Sequence, residues 1–200
     1  MDTNLPNPRV PAHPVEPMFI NRWSPRAFSD AEISEPELLA LLEAARWAPS
    51  SYNVQPWRFI YALRNGEGWS GLLDSLLPFN AAWAQRASAL LLIASYELVT
   101  PPGATAASPS LAHSFDAGAA WMQFALAAEL AGWSTHAMGG FDRTKAAAAV
   151  ALPPDYALHC VIALGQRGNP ATLPEALQAR ESPTPRRPLA ETAFRARFPG

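Results

Sequence analysis

The sequence predicts one domain in which helices and strands share a single sheet, α+β or α/β in class. Three observations carry this. Segments with helical spacing of apolar residues alternate along the chain with short β-rich runs. No internal repeat and no linker divides the 200 residues, a length that suits one substantial core. The 21 prolines gather toward both ends, so residues 1–17 and 183–200 read as extended arms around a compact body of residues that can pack.

After the first arm, Met18 to Asn21 begins a short helix, and a basic segment follows, Asn21-Arg22-Trp23-Ser24-Pro25-Arg26-Ala27-Phe28. Ser34 and Glu37 form a capping box with Pro36 in the first turn, and Leu38, Leu41, Leu42 and Ala45 then repeat at helical spacing. Next comes a stiff polar corner, Ala48-Pro49-Ser50-Ser51-Tyr52-Asn53-Val54-Gln55-Pro56-Trp57, whose two prolines restrict the residues before them. A strand is predicted over 57–63, with Trp57, Phe59 and Tyr61 on one face, and a helix over 68–77. Another helix opens near Phe79. The apolar run over 88–96 reads as a strand buried on both faces. Residues 100–110, rich in Pro, Ala, Gly and Ser, form a loop. The longest helix covers 111–131, apolar nearly all round, as in a central helix or a dimer seam. A strand over 134–138, a helix from Arg143 capped by Asp142, and a strand over 156–164 complete the body.

Composition excludes several functions. The net charge of −2 offers no broad attraction to nucleic acid or to a membrane surface. The single cysteine, Cys160, allows no intrachain disulfide, and a cytoplasmic home is expected. No signal peptide is recognisable, and the apolar runs are too short to span a bilayer. Gly-rich phosphate loops and the GxSxG elbow are absent from the sequence. His13, His113, His136 and His159 show no ligand spacing, so no protein-held metal is expected. His159 and Cys160 are adjacent on a strand and point to opposite faces, which disfavours a Cys–His nucleophile.

The remaining polar groups suit an anionic, planar ligand. Arg22, Ser24 and Arg26 could bind a phosphate through guanidinium and hydroxyl donors, or form a solvated basic turn. Asn53 and Gln55 could bond the edge of a heteroaromatic ring, or stabilise their own turn. Gly139-Gly140 could admit close backbone approach, or make a tight strand-to-helix turn. Asp116 could serve the helix dipole, and Arg186-Arg187 could be a second anionic clamp or a solvated pair.

Taken in order, these pieces resemble the nitroreductase family of FMN-dependent flavoproteins. The segments that carry the resemblance are Arg22 to Phe28, Ala44 to Trp57, Asn80 with Trp83, Asp116 to Ala120, Gly139 to Asp142, Gly165, and Arg186 to Leu189. The run Ala-Pro-Ser-Ser-x-Asn-x-Gln-Pro-Trp is the specific part. The resemblance implies an α+β fold with a central mixed sheet flanked by helices, in an intertwined homodimer with two shared FMN sites. It implies that Arg22, Ser24 and Arg26 hold the phosphate and ribityl end, with Trp23 among the cofactor-binding residues and Arg186 or Arg187 returning to the phosphate. Pro49, Ser50, Ser51, Asn53 and Gln55 would line the isoalloxazine from the partner chain. Asn80 would meet its polar edge, and Gly139 and Gly140 would present backbone near N5. The implied activity is reduction of nitroaromatics, quinones or activated alkenes by NADH or NADPH, in ping-pong fashion, with the flavin carrying the chemistry. A flavin storage or sensing module, or a flavin-fragmenting or dehalogenating enzyme, is the alternative on the same scaffold. Two departures stand out: Trp23 where the family often has a polar or basic residue, and Trp83 where some members carry a lysine near the flavin.

Overall fold

The computed structural model describes residues 7–199, so residues 1–6 of the first arm lie outside it. The elements in chain order are α1 (Pro17–Asn21), α2 (Glu35–Arg46), β1 (Trp57–Leu63), α3 (Trp69–Ser75), α4 (Pro78–Ala84), β2 (Ala89–Tyr96), β3 (Leu98–Val99), β4 (Ser108–Pro109), α5 (His113–Leu130), β5 (Ser134–Met138), α6 (Arg143–Ala149), β6 (Tyr156–Gly165) and α7 (Glu175–Gln178). The main sheet has the order β1-β2-β6-β5. The expected class, α+β, is what the chain adopts. Where a mixed sheet is expected, each pairing among these four strands is antiparallel. The reason lies in the connections: α3 with α4, and α6 with the segment after it, each return the chain to the end of the sheet it left.

The central pair explains the strongest sequence signal. Strand β2 alternates between two cores: Leu90 and Leu92 join Trp69, Leu72, Trp83 and Phe141 on one face, while Leu91 and Ile93 join Leu38, Leu41, Ala120 and Phe124 on the other. Strand β6 repeats the pattern, with Val161 and Ala163 against Ile162 and Leu164. A strand covered on both faces needs apolar residues at every position, hence the unbroken run. One layer holds α2 and α5, and the other holds α3, α4 and α6. None of the helices of the described residues is long and apolar enough to cross a membrane.

The predicted caps form, with one variation. Ser34 accepts the backbone N–H of Glu37, but the Glu37 carboxylate accepts the indole N–H of Trp133 at 2.7 Å and does not return to Ser34. Asp142 accepts from the backbone of Lys145 at the start of α6. The stretch read as a plain loop, residues 100–110, ends in β4, which pairs with β3.

The basic segment is fastened to the end of the sheet. Phe28 is fully buried, and the Gly168 N–H donates to the Ala27 carbonyl at 2.8 Å. A Cβ on Gly168 would sit 2.5 Å from the Phe28 carbonyl carbon, so only glycine lets these two backbones cross.

Candidate functional site

Four stretches of chain converge on one cavity of about 410 Å³. Its wall includes Arg22, Trp23, Ser24 and Arg26 from the basic segment, Arg9 from the first arm, and His136 from β5. The second arm and the residues just before it add Arg180, Ser182, Thr184 and Arg186. Five guanidinium groups therefore line one concavity. Burial first of all holds Arg9, Arg22 and Arg26 below the ordinary arginine value. Neighbouring cations press the same way: Arg186 and Arg22 on Arg9, Arg186 and Arg167 on Arg22, and Arg180 on Arg26, while Glu129 and Glu181 oppose them at Arg22 and Arg26. All remain protonated, since arginine does not titrate in the working range. Crowded like charges with hydroxyls between them make a receptor for a multiply charged oxyanion.

The basic segment is shaped by bonds to its backbone. Arg9 donates through its guanidinium to the carbonyls of Ile20 (2.9 Å), Arg22 (2.7 Å) and Thr184 (2.8 Å), which ties the two arms to each other across the cavity mouth. His136 Nδ1 lies 3.0 Å from the Pro25 carbonyl, so the ring donates there. Burial chiefly pushes His136 down to about 4, and the ring is neutral at pH 7. The Glu181 carboxylate accepts the backbone N–H groups of Arg26 (2.7 Å) and Ala27 (2.8 Å).

The polar corner before β1 is a different kind of structure. Tyr52, Asn53 and Gln55 all have positive φ, at 51°, 55° and 51°. This conformation costs on the order of 1–2 kcal/mol each at Tyr52 and Gln55 and less at Asn53, whose short carboxamide suits it. Internal and long-range bonds hold the conformation: Ser50 Oγ accepts from the Gln55 backbone (2.9 Å), and the buried Asp116 carboxylate accepts from the Ser51 backbone (3.1 Å). The Gln55 amide donates to the Asn53 carbonyl. Asp116 is thus more than a helix-dipole residue, because it fastens the corner to α5. Ser51, Tyr52, Asn53 and Gln55 stay exposed. Strained backbone of this kind clusters at active sites, ligand clamps and switch regions.

The structure brings Asn80 and the two glycines together. Asn80 Nδ2 donates to the Gly140 carbonyl at 3.0 Å, and a Cβ on Gly140 would meet that nitrogen at 2.7 Å. Arg186 faces the cavity, whereas Arg187 does not line it and lies 4.0 Å from Glu191. Trp23 is buried in the cavity wall. Trp83 does not line the cavity and belongs to the core, 1% exposed, its ring 4.7 Å from that of His136. None of Pro49, Ser50, Ser51, Asn53 or Gln55 lines the cavity. The corner enters β1 at one edge of the sheet, and the arginines gather beside β5 at the other.

Sequence reasoning missed Arg9, Arg180 and His136. The arginines sit in proline-rich segments without periodic signal. Nothing in the sequence marks Arg180, which lies in the turn that ends α7, or favours Arg186 over Arg187. It also missed that His113 and His159 meet, each within 2.7 Å of Ser95 Oγ. A β-bulge between Ile93 and Ala94 leaves His159 outside the ladder and aims it there.

Residues 20–166 match the family model described as the nitroreductase family. The chain belongs to the nitroreductase family. A solved structure described as an oxidoreductase containing FMN is 40% identical, covers 98% of this chain and 99% of its own, and superposes with a TM-score of 0.92. A provisionally named nitroreductase from Desulfovibrio desulfuricans, solved in complex with FMN, shares the fold at 23% identity and a TM-score of 0.71, covering 93% of this chain and all of its own. Among curated proteins, a 15.4 kDa Mycolicibacterium smegmatis protein is 34% identical over 70% of this chain and 97% of its own length. A Streptomyces coelicolor protein provisionally named an NADH dehydrogenase/NAD(P)H nitroreductase is 36% identical over 38% of this chain, and the match spans 37% of that protein's length.

Proposed function

We propose that this member of the nitroreductase family is an FMN-dependent oxidoreductase. It takes electrons from NADH or NADPH and delivers them to electron-poor acceptors such as nitroaromatics or quinones. The observation that carries this is the five-arginine cavity, whose charge, hydroxyls and concavity fit a phosphate monoester. The names of the relatives, FMN in the solved structures and NAD(P)H in the Streptomyces protein, point the same way.

In this reading Arg22, Arg26 and Arg186 bind the phosphate, with Ser24 donating a hydroxyl. Gly139, Gly140 and Asn80 hold the polar edge of the ring. Bound there, FMN supplies reversible hydride chemistry, and the protein orients it and sets its electrostatics. Donor and acceptor use one face in turn, which gives ping-pong kinetics.

The ring's other wall comes from Pro49, Ser50, Ser51, Asn53 and Gln55 of a second copy, since these residues lie away from the cavity in their own chain. A homodimer also covers apolar surface. Leu111, Phe115 and Met122 are exposed at helical spacing along and just before α5, and Trp47 and Tyr52 are exposed as well.

Aerobic purification tests the reading. A yellow protein that bleaches with NADH or NADPH is expected. A colourless protein that neither FMN nor its reconstitution colours would overturn it.

A further inference from the structure

The segment before and within the second arm has a two-residue rhythm. Arg180, Ser182, Thr184 and Arg186 line the cavity, while the intervening Glu181 and Pro183 are buried. This strip begins in the turn that ends α7 and is exposed again at Pro185, so its docked face is Glu181 and Pro183 alone. The docked face carries a carboxylate. The Glu181 side chain is 2% exposed, and one oxygen accepts two consecutive backbone N–H groups, those of Arg26 and Ala27. Its other oxygen lies 3.9 Å from Arg26 and, among the described residues, has no hydrogen-bond partner; nor does Arg26 Nε.

This acid is oddly placed for a site that collects anions. Its charge opposes an incoming phosphate, so it does not serve attraction. What it does by geometry is join two walls of the cavity. One wall is the turn at Arg26, and the other is the strip bearing Arg180 and Arg186. We infer that Glu181 is a positioning residue, a buried latch that docks the strip against the basic segment, so that anion binding in the cavity and docking of the tail reinforce each other. Linkage requires the coupling to run both ways: a docked tail raises anion affinity, and a bound anion holds the tail. For FMN the inference rests on the phosphate-site reading above.

The sign of the effect separates latch from simple electrostatics. Removing a negative charge beside the cavity favours anion binding by Coulomb's law alone. Removing a latch weakens it. The experiment compares wild type, Glu181→Ala and Glu181→Gln by titration with FMN and with riboflavin, which lacks the phosphate. Glu181→Ala is expected to weaken FMN binding about tenfold or more and riboflavin binding less than about twofold, the size of an ordinary coupling between sites. Glu181→Gln should fall between, because its amide oxygen still accepts the two N–H groups. Hydrogen exchange supplies a second reading that needs no flavin. Segments 22–28 and 180–187 should lose protection together in Glu181→Ala, and inorganic phosphate should protect both in wild type.

Glu181→Ala that binds FMN as tightly as wild type, or more tightly, overturns the inference, as does independent exchange of the two segments. Should Glu181→Ala fail to fold, Glu181→Gln decides alone: weakened FMN binding supports the latch and tightened binding overturns it. If wild type binds neither FMN nor riboflavin, the flavin reading fails, and the latch stands or falls on the exchange data with phosphate.

Discussion

The arginine cavity and the polar corner before β1, the two walls of the proposed flavin site, are built by opposite means. The cavity is assembled over long range, from residues near 9, 22–26, 136 and 180–186. Its backbone is unstrained, and its cost is electrostatic, five cations pressed into one concavity. The corner is local, spanning residues 49–57, and its cost is conformational, three left-handed non-glycine residues in a row of four. The cavity is therefore sensitive to charge and to whatever keeps the arms in place. The corner is sensitive to backbone geometry and to the two anchors that enforce it, Ser50 and Asp116.

The sharpest break of this contrast is at Arg22. Arg22→Ala removes a half-buried guanidinium from the cavity, and truncating one partner of such a charged pair costs several kcal/mol, so FMN affinity should fall about 100-fold. Raised salt should weaken what remains. The corner stays intact in this variant. Mixing Arg22→Ala subunits with Asn53→Ala subunits should then restore one loaded site per heterodimer, counted by flavin absorbance. If the mixture binds no more flavin than the two separate proteins, the shared-site reading is wrong.

A pH titration of stability probes the cavity wall next. His136 is pushed from the ordinary 6.5 down to about 4, chiefly by burial. The unfolded chain thus takes up the proton first. Stability from this group is complete above about pH 6.5, declines as pH falls toward 4 and is flat below that, a total on the order of 3 kcal/mol. His159 is also lowered by burial first, with His113 and Arg143 adding, and contributes in the same direction. His136→Gln should flatten the decline measured by denaturant unfolding at several pH values. An unchanged profile would remove His136 from the account of how the Ser24–Arg26 turn is held.

The corner's own anchor should show a smaller effect on the whole protein. Asp116→Ala leaves the Ser51 N–H without its acceptor and costs about 2 kcal/mol, the usual size for a hydrogen bond to a buried charged group. Asp116→Asn should recover part of it, since an amide oxygen still accepts. Thermal unfolding measures both.

What was legible in the sequence follows the same divide. Strand β2 declared itself because two buried faces demand apolar residues nearly throughout, and the second half of β6, from Val161 to Leu164, follows the same rule. Arg22, Ser24 and Arg26 were legible because their spacing is local, and the corner was legible because its prolines, serines and amides are contiguous. Arg9 and Arg180 were not, since nothing in a proline-rich arm says which body surface it meets. Asp116 was read as a dipole residue because its true partner, Ser51, is distant in sequence. The antiparallel order of the sheet was hidden for the same reason: no strand is joined to its neighbour by a short hairpin, so direction depends on how helices return.

The smallest and most discriminating effect lies at Asn53. Its φ of 55° suits asparagine and glycine but strains alanine. Asn53→Gly removes the carboxamide and keeps the conformation accessible, whereas Asn53→Ala removes the carboxamide and adds strain. If the corner works only through its backbone shape, Asn53→Gly should hold flavin like wild type and Asn53→Ala should lose about 1 kcal/mol of stability, seen as a lower unfolding midpoint. If the carboxamide itself meets the ring, both variants lose flavin to a similar extent, about fivefold for one neutral hydrogen bond, whatever their stabilities. The second pattern is expected, because Asn53 is exposed at the tip of an anchored loop, where a ligand can reach it.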